Sequence, residues 1–375
     1  MSTTTPGLRV VVIGGGIVGL ACADELVRAG HDVRLFDPAP ASGATYAAAG
    51  MLAPGGEAWF GEEALLCLGV DSLERWPAYA AVLEERSGRR VDLRAAGTLL
   101  VAADRDDLAE VRRACVLLEA SGVRAEELDR QALRAHEPTL SGRVAGGALL
   151  PDDRHVNPRR VADALLIVLG ERVVRARATA TPDGVVLDDG SRITADVVVL
   201  ATGAVGMPHV RPVRGEVVRV RSHDAPSRVL RARVHGERVY VVPRADGELV
   251  IGATEEEHSA GQGTPLPTVG GVARLLEAAR ALVPGLDRAE LLEVVARDRP
   301  GSPDNGPLLG PVASPGSARV LLAGGHHRGG VLLAPVTAAT LRAHVDGLDV
   351  PDAARPFTPD RFETHRFERN EDPCT

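Results

Sequence analysis

The chain has 375 residues and no lysine; all 43 of its basic residues are arginine. That absence excludes a Schiff-base lysine, and with it ordinary pyridoxal chemistry. It also excludes the lysine of a phosphate-binding P-loop. Aromatic residues are scarce, with five Phe, three Tyr and two Trp, so the core is expected from Ala, Val and Leu. The four cysteines, Cys22, Cys67, Cys115 and Cys374, are far apart and form no CxxC or metal spacing. They read as idle thiols of a reducing cytoplasm, with no metal site. No apolar run reaches the roughly 20 residues of a membrane span, because glycines interrupt the best stretch at 10–23. A net charge of −8 argues against a nucleic-acid or anionic-membrane partner. Residues 1–6 read as a frayed polar tail.

What is present begins with strand–helix–strand. Residues 9–13 are a continuous apolar run, 17–29 carry helical periodicity and 32–36 form a second strand. Between the first strand and the helix lies Gly14-Gly15-Gly16-Ile17-Val18-Gly19, which fits G-x-G-x-x-G. Gly14 permits the tight turn, Gly16 lets the backbone approach a pyrophosphate, and Gly19 lets helix and strand pack closely. The helix N-terminus supplies donors for an anion without any lysine. Asp37 ends the second strand, where a carboxylate accepts ribose hydroxyls. This pattern predicts a dinucleotide but does not separate NAD from FAD.

Two further apolar strands, at 196–200 and 319–323, run into glycines, including Gly203. Segments around 91–103, 144–150, 215–221, 229–243 and 248–254 alternate β-branched and charged residues, as an antiparallel sheet with one wet face does. Helical patterns at 105–119 and 270–282 are expected to cover that sheet. The fold class predicted is α/β plus α+β, with a discontinuous Rossmann-like domain and an inserted antiparallel-sheet domain. The first takes residues 1–88, 146–215 and 300–375, and the second takes 89–145 and 216–299. The tail after about residue 351, rich in charge and proline, reads as disordered.

Residues 42–54 are almost all small, and the run Ala47-Ala48-Ala49-Gly50-Met51-Leu52 is apolar, which suits close approach to a flat ring. Here the sequence resembles the glycine oxidase and D-amino-acid oxidase family of FAD enzymes, in its thiamine-biosynthesis branch. VYVVPR at 239–244, VIGAT at 250–254, RPGSPDNGPLLG at 299–310 and GGHHRGGVLLAP at 324–335 extend the resemblance over residues 9 to 346. It implies FAD, held non-covalently because no cysteine lies between 116 and 373. Lining by Ile17, Val18, Asp37, Pro38, Ala44, Thr45, Ala49, Gly50 and Met51 is implied. So is lining by His326, His327, Arg328, Gly329, Gly330, Val331 and Leu332, with Ala178 at the adenine end.

The resemblance further implies that Arg299 binds the substrate carboxylate, with Arg328 and Tyr240 assisting. Arginine suits this task because its planar fork grips a carboxylate bidentately. His326 and His327 are expected to turn their backbones around the flavin rather than act as bases. Two departures from the family pattern stand beside the site. Arg297-Asp298 precede the arginine and are expected to pair with each other. Glu255 is expected to recruit basic side chains or reject acidic ones. The implied reaction is oxidation of glycine or another small amino acid by dioxygen, yielding imine or 2-oxo acid, ammonia and hydrogen peroxide. The rivals are an FAD dehydrogenase for D-amino acids, sarcosine or D-proline, an NAD-dependent dehydrogenase, and a flavin-carrying non-catalytic subunit. A homo-oligomer is compatible with the sequence.

Overall fold

The computed structural model describes residues 7–234, 236–257 and 264–362. Arg9–Ile13 pairs in parallel with Asp32–Phe36 on one side and Val197–Leu200 on the other. Arg319–Gly324 and Val173–Val174 extend this sheet in parallel, and Leu308–Val312 closes one edge antiparallel. The strands read as valine and leucine runs because both faces are covered. Ile17–Arg28 packs against Ala334–Asp346 and Pro158–Leu169 on one face. The helix ends at Ala29, and Gly30 follows at φ +93°, the left-handed turn that glycine supplies without strain.

The second sheet has nine strands. Near one edge Arg211–Arg221 lies between Glu248–Gly252 and the long strand Glu290–Gly301. Val229–Val234 and Glu237–Pro243 form a hairpin turning at Gly236. Val269–Leu282 and Arg105–Ala120 cover the sheet with their apolar faces. Asp104 caps the second of these helices, accepting from the N–H groups of Asp106 and Asp107 at 2.9 Å.

Several expectations need correction. Gly146–Leu150, read above with the antiparallel segments but placed by the boundary at 146 with the nucleotide-binding ones, pairs with Thr98–Ala102 and Glu126–Asp129 in the second sheet, so the pattern holds and the boundary falls too early. That sheet is not wholly antiparallel, since Val229–Val234 runs parallel to Thr98–Ala102. Of the 91–103 segment only Thr98–Ala102 is a strand of the sheet. Arg211–Arg221 and Glu290–Gly301 run through the boundaries drawn at 215 and 299. The tail is ordered to residue 362: Asp352–Phe357 and Pro359–Phe362 are short helical turns, and Phe357 is buried in the first core. The rest of the tail, Cys374 and residues 1–6 lie outside the described residues.

The helix Glu63–Ser87 was not anticipated, although Leu66, Gly69, Leu73, Trp76, Ala80 and Leu83 recur on one buried stripe. Two of its polar groups serve the site. Ser72 Oγ and Trp76 Nε1 both donate to the Leu332 carbonyl, at 2.6 and 2.9 Å, and so fix the turn before Ala334.

Gly19 has no room for a side chain: a Cβ there would lie 2.0 Å from the Gly14 carbonyl oxygen. Backbone cannot move aside cheaply, so Gly19→Ala is expected to destabilise the protein by about 1–3 kcal/mol. A lowered urea midpoint at unchanged m-value checks this; an unchanged midpoint contradicts it.

Candidate active site

Two adjoining cavities lie where the sheets meet. The first, of about 360 Å³, runs from Asp37 past the glycine turn and the 41–51 loop to Tyr240 and Arg299. The second, of about 810 Å³, opens above the 229–243 hairpin. Glu57, Tyr240, Arg299 and Arg328 line both and mark the junction.

The first cavity has the features of a dinucleotide cradle. A Cβ on Gly16 would meet only Thr45 Oγ1, at 3.5 Å, so no protein atom requires glycine there. Its missing side chain leaves space for a ligand instead. Thr45 Oγ1 accepts from the Ile17 N–H at 2.9 Å and braces the helix start. Asp37 accepts from Gly15 N–H at 2.6 Å and from Ala39 N–H at 2.7 Å. Each carboxylate oxygen keeps a lone pair for a ribose hydroxyl.

Most of the expected residues line this cavity: Gly14, Gly16, Ile17, Val18, Asp37, Pro38, Ala44, Thr45, Ala49, Gly50, Met51, Gly203 and residues 326–332. Gly19 and Ala178 do not. Gly19 serves helix packing, and Ala178 lies on the strand Ala178–Thr181, packed with the Val11, Ile13 and Phe36 cluster. His326 is buried, hydrogen-bonds Thr337 Oγ1 at 2.9 Å, and is pushed down to about 3 by burial. A ring kept neutral inside the core does not serve as a base at the junction.

Two glycines make room for the two side chains expected to act on the substrate. A Cβ on Gly215 would lie 2.3 Å from Arg299 Nη1, and one on Gly252 would lie 2.3 Å from the Tyr240 hydroxyl. Gly252 is the register partner of Tyr240 across the sheet. Arg299 Nη1 donates to the Thr254 carbonyl at 3.1 Å. No carboxylate among the described residues lies within ion-pair distance of Arg299, which leaves part of its fork for an incoming anion. Burial pushes the Tyr240 hydroxyl above its ordinary value, opposed by Arg299, so it stays a proton donor.

Arg328 is differently placed. It donates to Glu255 Oε2 at 2.6 Å and lies 3.8 Å from Glu57 Oε2. His327 Nε2 is 3.4 Å from Glu255 Oε1. The His327 contact, then Arg328, hold the Glu255 carboxyl well below the usual range against burial. Glu255 is thus already neutralised by neighbours and does not serve as a free anion for basic side chains. Arg297 and Asp298 do not pair either. Successive strand residues face opposite ways, so Arg297 donates to the Ser42 carbonyl at 2.8 Å and Asp298 sits opposite Arg214.

Sequence reasoning missed Glu57 and Arg231. They form an ion pair between the 54–57 turn and the hairpin. Burial opposes the Glu57 charge, but Arg231, Arg328 and Arg299 outweigh it and lower its pKa. Arg244 was also missed; buried, it donates to the carbonyls of Ala49 and Val156 and fastens the 47–52 loop from behind. Nothing in residue spacing signals either contact.

The comparisons with known proteins agree with this geometry. The family described as FAD dependent oxidoreductase matches residues 9–343. The chain belongs to that family. A putative thiamine biosynthesis oxidoreductase ThiO of Rhizobium etli is 36% identical, covering 88% of this chain and 94% of its own. The bifunctional protein ThiO/ThiG of Trichormus variabilis is 32% identical over 88% of this chain, which spans only about half (52%) of that relative. The crystal structure of glycine oxidase from Geobacillus kaustophilus superposes with TM-score 0.83 at 29% identity, covering 94% of this chain and 98% of that one. FAD is the cofactor of the family, and the small-residue cradle with Asp37 at one end fits it. Among the described residues no group of metal-ligating side chains forms, and no helix is long and apolar enough to cross a membrane.

Beneath the junction Asp153 is buried, and its carboxyl is pushed up to about 7 by burial, against Arg231. An unfolded aspartate titrates near 3.8. The folded protein therefore binds a proton that the unfolded chain lacks between these values, and stability falls as pH rises through that window. Asp153→Asn removes the dependence. The variant is expected to gain on the order of 2–3 kcal/mol relative to the parent between pH 5 and pH 8, at ~1.4 kcal/mol per pKa unit. Urea unfolding at both pH values checks it; parallel stability curves contradict it.

Proposed function

We propose that this flavoenzyme oxidises glycine or a similarly small amino acid, with Arg299 as the carboxylate anchor. The observation that carries the reading is the junction itself. A guanidinium without a carboxylate partner among the described residues, beside the hydroxyl of the partly buried Tyr240, lines the cofactor cavity and the outer cavity at once. The names of the Geobacillus and Rhizobium relatives agree with it, and the second associates such an enzyme with thiamine biosynthesis. We extend both the reaction and that role to this chain.

In this reading the carboxylate, the anionic group common to all amino acids, docks on the Arg299 fork. The Tyr240 hydroxyl donates to it, and Arg328, held by Glu255 and Glu57, adds positive charge at the same junction. The amino acid is thereby fixed by its carboxylate, with Cα directed toward the cofactor cavity. Bound non-covalently, FAD would supply the hydride acceptor and pass the electrons to dioxygen. Neither histidine is required as a base, because the neutral amine already has the lone pair that forms the imine. Orientation and charge complementarity are the protein's contribution. The released imine hydrolyses to the 2-oxo acid and ammonia, and dioxygen leaves as hydrogen peroxide.

Anaerobic addition of glycine is expected to bleach the flavin absorbance, and in air one hydrogen peroxide is expected per glycine consumed. Bleaching without peroxide indicates a dehydrogenase, and no bleaching with any small amino acid refutes the reading. Arg299→Ala is expected to cost about 3–4 kcal/mol by leaving the bound carboxylate unpaired, roughly 10²- to 10³-fold in kcat/KM. Unchanged kinetics in the flavin-loaded variant would falsify the anchor.

A further inference from the structure

Seven arginines and four glutamates line the larger cavity, an excess of three positive charges in a chain whose net charge is −8. Pairing accounts for part of this. Arg231 and Arg328 are engaged by Glu57 and Glu255, Arg113 by Glu110, and Arg274 by Glu256. Besides Arg299, two guanidiniums of the wall remain without a carboxylate within ion-pair distance among the described residues: Arg233 and Arg238.

Their placement is unusual for like charges. Arg233 and Arg238 are direct register partners across the 229–243 hairpin. Both line the cavity. Like charges directly opposite each other in a sheet are destabilising, and no carboxylate of the wall lies within ion-pair distance of either among the described residues; Glu255 offsets the Arg238 charge only from further off. The Arg238 guanidinium stacks 4.5 Å over the Trp59 ring. Partial burial, then Arg233 and Arg328, lower its pKa, while Glu255 raises it. The same strand carries Tyr240 two residues on, facing the same cavity. Two residues of strand advance roughly 6.8 Å. A small amino acid anchored at Arg299 and Tyr240 can reach the pair with a second acidic group a few bonds from the first.

We propose that Arg233 and Arg238 form a second anion subsite, so that among substituted amino acids those whose nitrogen or side chain carries a further carboxylate are preferred over their neutral counterparts. This rests on the reading that Arg299 holds the first carboxylate. It reverses the expectation from Glu255, whose charge is already spent on His327 and Arg328, that acidic substituents are rejected.

The test compares matched pairs on the FAD-loaded protein: iminodiacetate against sarcosine, and D-aspartate against D-alanine, by anaerobic flavin bleaching. At least one acidic member is expected to exceed its neutral partner tenfold or more in kcat/KM. Arg233→Gln with Arg238→Gln is expected to shrink that ratio at least tenfold. As an equilibrium check that needs no variant, succinate is expected to perturb the flavin spectrum at concentrations at least tenfold below propionate. Neutral members matching or outrunning acidic ones, or succinate binding no better than propionate, overturns the subsite. If glycine bleaches the flavin in that case, the amino-acid oxidase reading survives alone. If no amino acid does, both fall.

Discussion

A half-buried guanidinium with no carboxylate beside it is the constraint around which this molecule is arranged. A cation withdrawn from water is costly unless an anion meets it, and among the described residues Arg299 has the Thr254 carbonyl and no carboxylate within ion-pair distance. Its space exists because Gly215, on the strand beside its own, lacks a Cβ. Gly252 does the same for Tyr240 one strand further across the sheet. Strand pairing thus sets both side chains at the meeting point of the two cavities.

The site also depends on how the two sheets are joined. Tyr46, from the loop that lines the cofactor cavity, donates its hydroxyl to Glu293 of the long strand at 2.7 Å. Arg159 bonds Glu293 at 2.7 Å and stacks 3.6 Å from the Tyr46 ring. Arg244 fastens the same loop from the hairpin side through the Ala49 carbonyl. These charge-assisted contacts cross between segments distant in sequence, and they hold the cofactor wall and the substrate wall in one geometry. Such fixed geometry is what catalysis by orientation requires.

Much of this was legible in the chain. The glycine turn, the acid at Asp37 and the glycine-ended strands carry local backbone requirements that spacing reveals directly. Long motifs pointed to Tyr240, Arg299 and Arg328, which the fold brings to the junction of the two cavities. What spacing cannot carry is contact between remote segments. Glu57 with Arg231, and Tyr46 with Glu293, meet only after folding. The same reason undid two expectations about charge. Arg297 and Asp298 are neighbours in sequence but point to opposite faces of a strand. Glu255, taken by itself, is an open anion; folded, it is closed by His327 and Arg328. The boundary drawn at 146 separated Gly146–Leu150 from the antiparallel segments its pattern had placed it with, because where one domain gives way to the other is decided by pairing, which spacing does not show.

The central claim is that the Arg299 fork meets a carboxylate at the face of the cofactor cavity. A crystal structure of the FAD-loaded protein soaked with glycolate, an unreactive carboxylate of glycine's size, tests it most directly. The account predicts glycolate at the junction, both carboxylate oxygens on Arg299 and one also within hydrogen-bond distance of the Tyr240 hydroxyl. Glycolate bound elsewhere, with the Arg299 guanidinium turned out to solvent, would contradict it.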